Sequence, residues 1–470
     1  MVKIFWFRKD LRIFDNRALE HFIEDTKPGE KFLLLYIKNR NSFKYFGEMR
    51  VSFLYESLKE MVILLKEKGY NFNIIKGDSP IVFKELQSKY GNISVYANRQ
   101  TEPYSIERDK AIMDFLSTKG SSLKLYSDTT LFEPDEITKD DGNPYSVFTP
   151  FSRKCLNLIS ENHYKSSNCK IEKLSPEDNI SSEVFKYEDL KKSPLFCGGR
   201  TEGLRLLKEF YKNGLDKYKS QRDFPSVKGT SFLSAHLHFG TVSIRECYRA
   251  ALKKQKEIKN DEEMKVWMNE LLWREFYYHI TNHFPYVIDS SFKKQYDKLE
   301  WNYDEKSFKQ WCEGKTGYPI VDAGMRQLNE EGWMHNRVRM ITAMFLTKDL
   351  FIDWKWGEKY FAEKLIDLDF ASNNGGWQWS ASTGCDAQPY FRIFNPYLQS
   401  QRFDAKGTYI RKYVKELKNV PDKCIHKPDD MNKEQQVNCG VVIGKDYPFP
   451  IVEHKSVKEN VLNKFKSITK

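Results

Sequence analysis

Short apolar runs alternate with helix-period segments through the first 130 residues. The runs Val2–Phe7, Phe32–Ile37, Asn73–Ile75, Ile93–Tyr96 and Leu123–Tyr126 have strand length and strand composition. Between them, Glu48–Lys68, Ile81–Lys89 and Ile106–Lys119 repeat their apolar positions at helical spacing. Strand-helix alternation of this kind predicts a doubly wound parallel sheet with helices on both faces. The first strand is followed by Arg8-Lys9-Asp10-Leu11-Arg12, which holds no glycine fingerprint. Any nucleotide cofactor is therefore expected elsewhere in the chain.

Residues 165–195 are rich in Lys, Ser, Glu and Asn, include Pro176 and Pro194, and lose apolar periodicity, as a linker does. From about residue 200 onward, helical patterns dominate: Glu202–Lys212, Ser243–Lys256, Glu262–His283, Tyr318–Glu331, Trp333–Leu350 and Lys355–Leu365. The predicted organisation is an α/β domain over 1–130, an interdomain linker over 131–199 and a large all-α domain over 200–470. No apolar run approaches the ~18 residues of a membrane-spanning helix.

Charge adds one hint. Lys and Arg number 76 against 65 Asp and Glu, a net +11 that suits a polyanionic partner without requiring one. Aromatic residues make up 15%, with 10 Trp, so function must be sought in particular rings rather than in the total. The eight cysteines form no C-x-x-C pair, and the N-terminus meets Arg8-Lys9-Asp10 without a signal-peptide core. Free thiols in the cytoplasm are expected. His279 and His283 have helical ligand spacing, but no Glu follows the first His and no third ligand is evident, so packing or capping is expected and no metal.

Three segments carry candidate chemistry. On Glu262–His283, Glu270, Trp273, Arg274 and Tyr277 fall at i, i+3, i+4 and i+7 and share a face. A carboxylate, an indole, a guanidinium and a phenol can together hydrogen-bond and stack on a planar heterocycle; a surface Glu270–Arg274 salt bridge would use the same spacing. The stretch Leu365–Trp379 places Asp367 and Asp369 in an apolar context, ahead of Asn373-Asn374-Gly375-Gly376 and two Trp. Such acids need partners, with Arg337 and Arg339 as candidates, and the Asn-Asn-Gly-Gly run permits unusual backbone or close approach to a ligand. Gly229-Thr230-Ser231-Phe232-Leu233-Ser234 puts three hydroxyls before an apolar run, either an ordinary N-cap or a phosphate site, with Tyr218 and Gln221–Pro225 upstream.

These residues, in this order, resemble the DNA photolyase/cryptochrome family, most closely the class I cyclobutane pyrimidine dimer photolyases. The resemblance runs from Trp6–Arg12 with Asp15-Asn16, through Gln221–Ser234, Trp267–Tyr277 and Gly314–Met344, to Asn373–Pro396. It implies an FAD-binding helical domain and light-driven repair of pyrimidine dimers in DNA by electron transfer from excited FADH⁻. By motif, Tyr218, Thr230, Ser231, Leu233 and Ser234 would hold the pyrophosphate and ribityl side. Arg339 and Asp367 would pair beside the isoalloxazine, Asp369 would touch the flavin or ribose edge, and Asn373 would face flavin N5. Trp267 and Arg274 would line the cofactor cleft. The resemblance further implies that Trp273 and Trp379 sandwich a flipped dimer and that Glu270 bonds the thymine edge. Asn336 and Met340 would complete that pocket. Arg337, Arg222 and Arg392 would contact DNA phosphates, and Trp377, Trp354 and Trp301 would form an electron-transfer chain. Trp6, Trp311, Trp333 and Trp356 are assigned to packing. At the family's folate positions this chain has Tyr104 and Ser105 before Arg108-Asp109, and Ile288, so the antenna is left open between a deazaflavin and none. A monomer is expected. The alternative is a cryptochrome-type light receptor without repair.

Overall fold

The computed structural model describes the chain apart from residues 40–45, 182–186, 188, 189, 259–261 and 470. Two compact units are present, Met1–Asp216 with Ser231–Pro285, and Lys217–Thr230 with Tyr286–Lys470. Among the described residues, no helix is long and apolar enough to cross a membrane.

In the first unit, β1 (Val2–Phe7), β2 (Phe32–Lys38), β3 (Phe72–Lys76), β4 (Ile93–Asn98) and β5 (Ser122–Tyr126) form a parallel sheet in the order β3-β2-β1-β4-β5. Central β1 sets Lys3 beside Phe32 of β2 and Val2 beside Ile93 of β4. Its alternate residues face opposite layers. Ile4 and Trp6 join Leu33, Leu35 and Val95 in one apolar layer. Phe5 and Phe7 meet edge-on at 4.4 Å in the other, with Phe22 5.6 Å from Phe5. The crossovers are α1 (Arg17–Asp25), α2 (Glu48–Glu67), α3 (Ser79–Tyr90) and α4 (Pro103–Ser117). The predicted alternation is present throughout. Helix α4 starts before the predicted Ile106 because Pro103, which lacks an N–H, fits the first turn.

The same unit adds α5 (Phe148–Leu158), α6 (Ser234–Phe239), α7 (Ile244–Glu257) and α8 (Glu262–His283). Ser243 and Glu246 cap α7 reciprocally. Within the stretch predicted as a linker, the Ile180 amide donates to the Phe32 carbonyl at 2.8 Å. Residues 182–186, 188 and 189 of that stretch lie outside the described residues.

A buried ion network ties this unit together. Arg245 donates to Asp15 at 2.9 Å and to Asp128 at 2.7 Å. Arg12 also pairs with Asp128 and donates to the Gly240 carbonyl at 2.8 Å. Ser243, Arg249 and the Ser167 amide also donate to Asp15, at 2.7, 2.8 and 3.0 Å. Burial alone would raise the Asp15 carboxyl, but Arg245 and Arg12 outweigh it and hold the group well below the usual carboxylate range.

The second unit is helical. Its relevant elements are α9 (Asn336–Met344), α10 (Trp354–Lys364), α11 (Phe370–Ala381) and α12 (His454–Thr469). One apolar cluster holds Trp301, Trp311, Trp354 and Trp377. The predicted single helix Trp333–Leu350 is instead α9 followed by a π-helical turn, Phe345–Asp349. Helix α9 starts late because the His335 ring accepts the Arg337 amide and caps it there.

Arg245→Met would leave Asp15 and Asp128 buried with fewer partners. We expect a loss of about 3–5 kcal/mol in the stability of the first unit, read by chemical denaturation. Acid should weaken the wild type as well: the depressed Asp15 contributes stability above its unfolded pKa that is lost as pH falls. A variant as stable as wild type at neutral pH would remove the network from the account.

Candidate functional site

In the first unit, α8 presents Glu270 and Trp273 half-buried. The Trp273 indole lies flat on Phe148, with centroids 3.7 Å apart and planes 9° from parallel. Phe148 thus covers one face of the indole and fixes its orientation. Arg274 donates to the Thr129 carbonyl at 2.7 Å and lies over the Tyr278 ring. Trp267 is buried, 5.2 Å from Phe210. His279 and His283 reach the carbonyls of Tyr145 and Pro134 at 3.2 and 3.0 Å.

The hydroxyl run differs from an ordinary N-cap. The residue preceding α6 is Leu233, which is buried and makes no side-chain cap bond. Ser231 Oγ accepts only the Leu233 amide, at 3.4 Å, and Ser234 is the first helical residue. Phe232 sits at φ 55°, a left-handed conformation that strains a bulky residue. The helix start is therefore left open by its own side chains. In the second unit, Thr230 Oγ1 is buried and meets no hydrogen-bond partner. A buried hydroxyl without a partner is costly unless something else supplies one, and phosphate oxygens would. Tyr218 is buried beneath the Arg222 guanidinium, 5.2 Å from its ring.

Also in the second unit, Arg339 donates to both oxygens of Asp367, at 2.8 and 3.1 Å, and to the Met334 carbonyl at 2.7 Å. The Asp367 carboxylate is almost wholly buried, so this pair satisfies an otherwise expensive charge. Arg337, the other candidate partner for the buried acids, pairs with Asp223 at 2.9 Å and lies over Phe403. Asp369 caps α11 by accepting the Ser372 amide at 2.9 Å. Because of that cap, Asn373-Asn374-Gly375-Gly376 is ordinary helix, not the unusual backbone the sequence suggested. Gly376 keeps its position open: a β-carbon there would meet nothing within 4 Å.

Helix α11 sorts its two tryptophans. Residues two apart on a helix lie roughly 200° apart around the axis. Trp377 accordingly packs inward, 5.0 Å from Phe361 and 6.0 Å from Trp311. Trp379 is half-buried and stacks on no ring among the described residues. Trp301 lies 4.8 Å from Phe351, and Trp354 is fully buried. On α9, Asn336 is exposed and its amide approaches the Met340 sulfur at 3.9 Å. Arg392 is exposed and bonds Gln388 at 3.1 Å.

One residue escaped the sequence reading. Glu358 on α10 accepts the Asn374 side-chain N–H at 3.0 Å through its carboxylate, and its carbonyl accepts that of Asn373 at 3.1 Å. Its neighbour carried the available signal. Gly357 lies mid-helix, where glycine is unfavourable unless something approaches closely, and a β-carbon there would lie 2.1 Å from the Trp377 ring.

At the family's folate positions, Tyr104 bonds Asn39 at 2.8 Å, Ser105 bonds Gln100 at 3.4 Å, and Arg108 bonds Asp109 and lies over Trp6.

Comparison with known proteins places the whole chain. Residues 3–168 match the DNA photolyase family model, and residues 267–467 match the FAD-binding domain of DNA photolyase. The deoxyribodipyrimidine photo-lyase of Alkalihalophilus pseudofirmus is 39% identical over 474 residues, covering 99% of this chain and 98% of the relative. A bacterial class III photolyase from Agrobacterium tumefaciens superposes with a TM-score of 0.89 at 36% identity, over 99% of this chain and 97% of that one. An archaeal photolyase from Sulfolobus tokodaii, solved with two FAD molecules, superposes with a TM-score of 0.83 at 33% identity, over 99% and 100% of the two chains. With its α/β sheet and helical FAD-binding domain, the chain belongs to the DNA photolyase family.

Proposed function

We propose that this chain is a light-driven deoxyribodipyrimidine photo-lyase, a lyase that splits cyclobutane pyrimidine dimers in damaged DNA with one FAD per chain. The observation that carries this reading is α11, where one helix turns Trp377 into the core and leaves Trp379 outward and unstacked. A buried indole suits electron transfer, and a free indole face suits a base.

The residues present fit FAD. The buried, unpartnered Thr230 hydroxyl suits a phosphate, as does the open start of α6 at Ser231–Ser234, and Tyr218 is buried in the second unit. When bound and reduced, FAD supplies the light-excited electron donor, and the protein positions and tunes it. The Asn373 N–H is committed to the Glu358 carbonyl, so its Oδ1 is the acceptor left for flavin N5–H. A neutral amide there adds no repulsion against an anionic cofactor, as a carboxylate would. Arg339 and Asp367 present a compensated pair, and Asp369 is held in place by the α11 cap. By the family motif, Trp267 and Arg274 on α8 are further candidates for contact with FAD.

The dimer must leave the duplex, and a damaged base costs less to unstack. Stacking on Trp273 and Trp379 is worth ~1–3 kcal/mol per base, enough to offset much of that cost. Phe148 already holds the Trp273 ring in orientation. Glu270 bonds the thymine edge, and Asn336 with Met340 forms the pocket wall. Arg222, Arg337 and Arg392 position DNA phosphates; Arg337 must share its guanidinium with Asp223 when it does so. Trp377, Trp354 and Trp301 would form the electron-transfer chain, with Trp377 and Trp354 buried in the core. The cysteines, all free among the described residues, suit a reducing cytoplasm, and the chain acts as a monomer.

Illumination of the reduced holoprotein with a dimer-containing oligonucleotide should abolish the dimer signal, with no change in darkness. Intact dimers after illumination would instead favour the light-receptor alternative. Under an external reductant, Trp377→Phe should slow flavin photoreduction at least tenfold while leaving repair by chemically reduced enzyme in place. An unchanged photoreduction rate would remove Trp377 from the chain. Burial pushes the Glu358 carboxyl up to about 7, against the lowering bond from Asn374. A carboxyl raised in the fold gives stability that is lost as pH climbs through that value. Glu358→Gln, neutral throughout, should therefore gain about 1–3 kcal/mol on wild type between pH 5 and pH 8, read from denaturation midpoints. A gain independent of pH would contradict the assignment.

A further inference from the structure

Lys348 is a charged side chain that none of the roles above uses. It sits in the π-helical turn Phe345–Asp349, between α9 and the start of α10, and is fully buried. Its ammonium donates to the Ala381 carbonyl at 3.0 Å and to Ser382 Oγ at 2.9 Å, and lies 4.3 Å from the Phe465 ring centroid. Among the described residues it has no ion-pair partner. Helix α11 brings no ionisable side chain to it. On α12, His454 is engaged by Asp349, and Lys464 lies over the Phe351 ring. On α10, Glu358 bonds Asn374 and Lys355 bonds the Asp289 carbonyl. Arg339 on α9 is committed to Asp367.

Burying an ammonium without a counter-ion is costly, so its two oxygen partners define what it does there. Ala381 is the last residue of α11, and Ser382 ends the helix in a left-handed conformation, φ 68°. That conformation is unfavourable for a residue with a β-carbon. The Ser382 amide closes on the Trp379 carbonyl at 3.3 Å. A cation at this end complements the negative pole of the helix. We propose that Lys348 is a positioning residue for Trp379: its ammonium pins Ala381 and Ser382 and thereby fixes the last turn of α11, which sets the direction of the indole. The inference rests on the reading of Trp379 as a stacking platform for the dimer.

Burial pushes the Lys348 ammonium down to about 7. The charge is therefore present below that pH and lost as pH rises through it. The neutral amine can still donate to both oxygens but no longer attracts the helix end or the Phe465 ring. Nearby, burial raises the Asp349 carboxyl to about 6 against the pull of His454, so a variant confined to Lys348 is needed to separate the two.

The test is hydrogen exchange of the holoprotein at pH 6 and pH 8, corrected for intrinsic rates, in a peptide spanning Trp379 to Cys385. Wild type should lose about fivefold in protection between the two, while Lys348→Met shows the low protection at both. In parallel, wild-type Kd for a dimer-containing oligonucleotide should rise severalfold from pH 6 to pH 8. The variant should hold the high value throughout, with its flavin spectrum unchanged. If Lys348→Met does not fold, Lys348→Gln keeps a donor without the charge and takes its place. PH-independent protection in wild type, or a variant that keeps the wild-type profile, overturns the inference. Exchange that follows the expected pattern in a protein that never binds dimers overturns the repair reading instead.

Discussion

Helix α10 passes α11 so closely at Gly357 that any side chain there would collide with the Trp377 ring, whose nearest atom is 2.1 Å from the β-carbon position. The contact locks the two helices in one register. With that register set, the next residue on α10, Glu358, meets Asn373 and Asn374. The Asn373 amide is thereby oriented, Trp377 is sealed into the apolar cluster, and Trp379 is turned to the opposite face. Nothing in this chain of placements needs an unusual backbone. It needs one missing methyl group and a helix capped at Asp369.

The first unit depends on a different constraint. Two carboxylates and two guanidiniums, all nearly inaccessible to water, converge from the loop after β1, from the segment after β5 and from α7. Each charge would be prohibitive alone and is tolerable only in company. The same loop after β1 lies against the end of α6, where a β-carbon at Gly240 would sit 2.2 Å from the Lys9 carbonyl. The far end of α6 is thus anchored through Arg12, which donates to the Gly240 carbonyl.

Much of this was legible in the residues. Alternating apolar runs gave the sheet and its crossovers to within a few positions, because buried strands leave a dense, short signature. The family motifs pointed to the residues of the candidate site. Periodicity could not foresee the break in Trp333–Leu350, since a capping His335 and a π-helical turn with buried Lys348 and Asp349 leave the apolar spacing intact. The Asn-Asn-Gly-Gly run misled because glycine signals freedom, whereas here Gly376 provides open space on a regular helix. Glu358 was missed because a lone carboxylate beside lysines looks solvated until its neighbour Gly357 is seen touching an indole.

The first unit is also discontinuous along the chain, since it takes Ser231–Pro285 in addition to Met1–Asp216. A ribosome releases Asp15 and Asp128 long before Arg245 emerges to neutralise them. The nascent sheet, complete in strands once β5 is out, therefore sets two acids against the single guanidinium of Arg12 for more than a hundred further residues of synthesis. Its slow parallel pairing and exposed aromatic layers must be protected over that interval. Closure of this unit thus waits on a segment made late, a constraint that the stability of the finished molecule does not reveal.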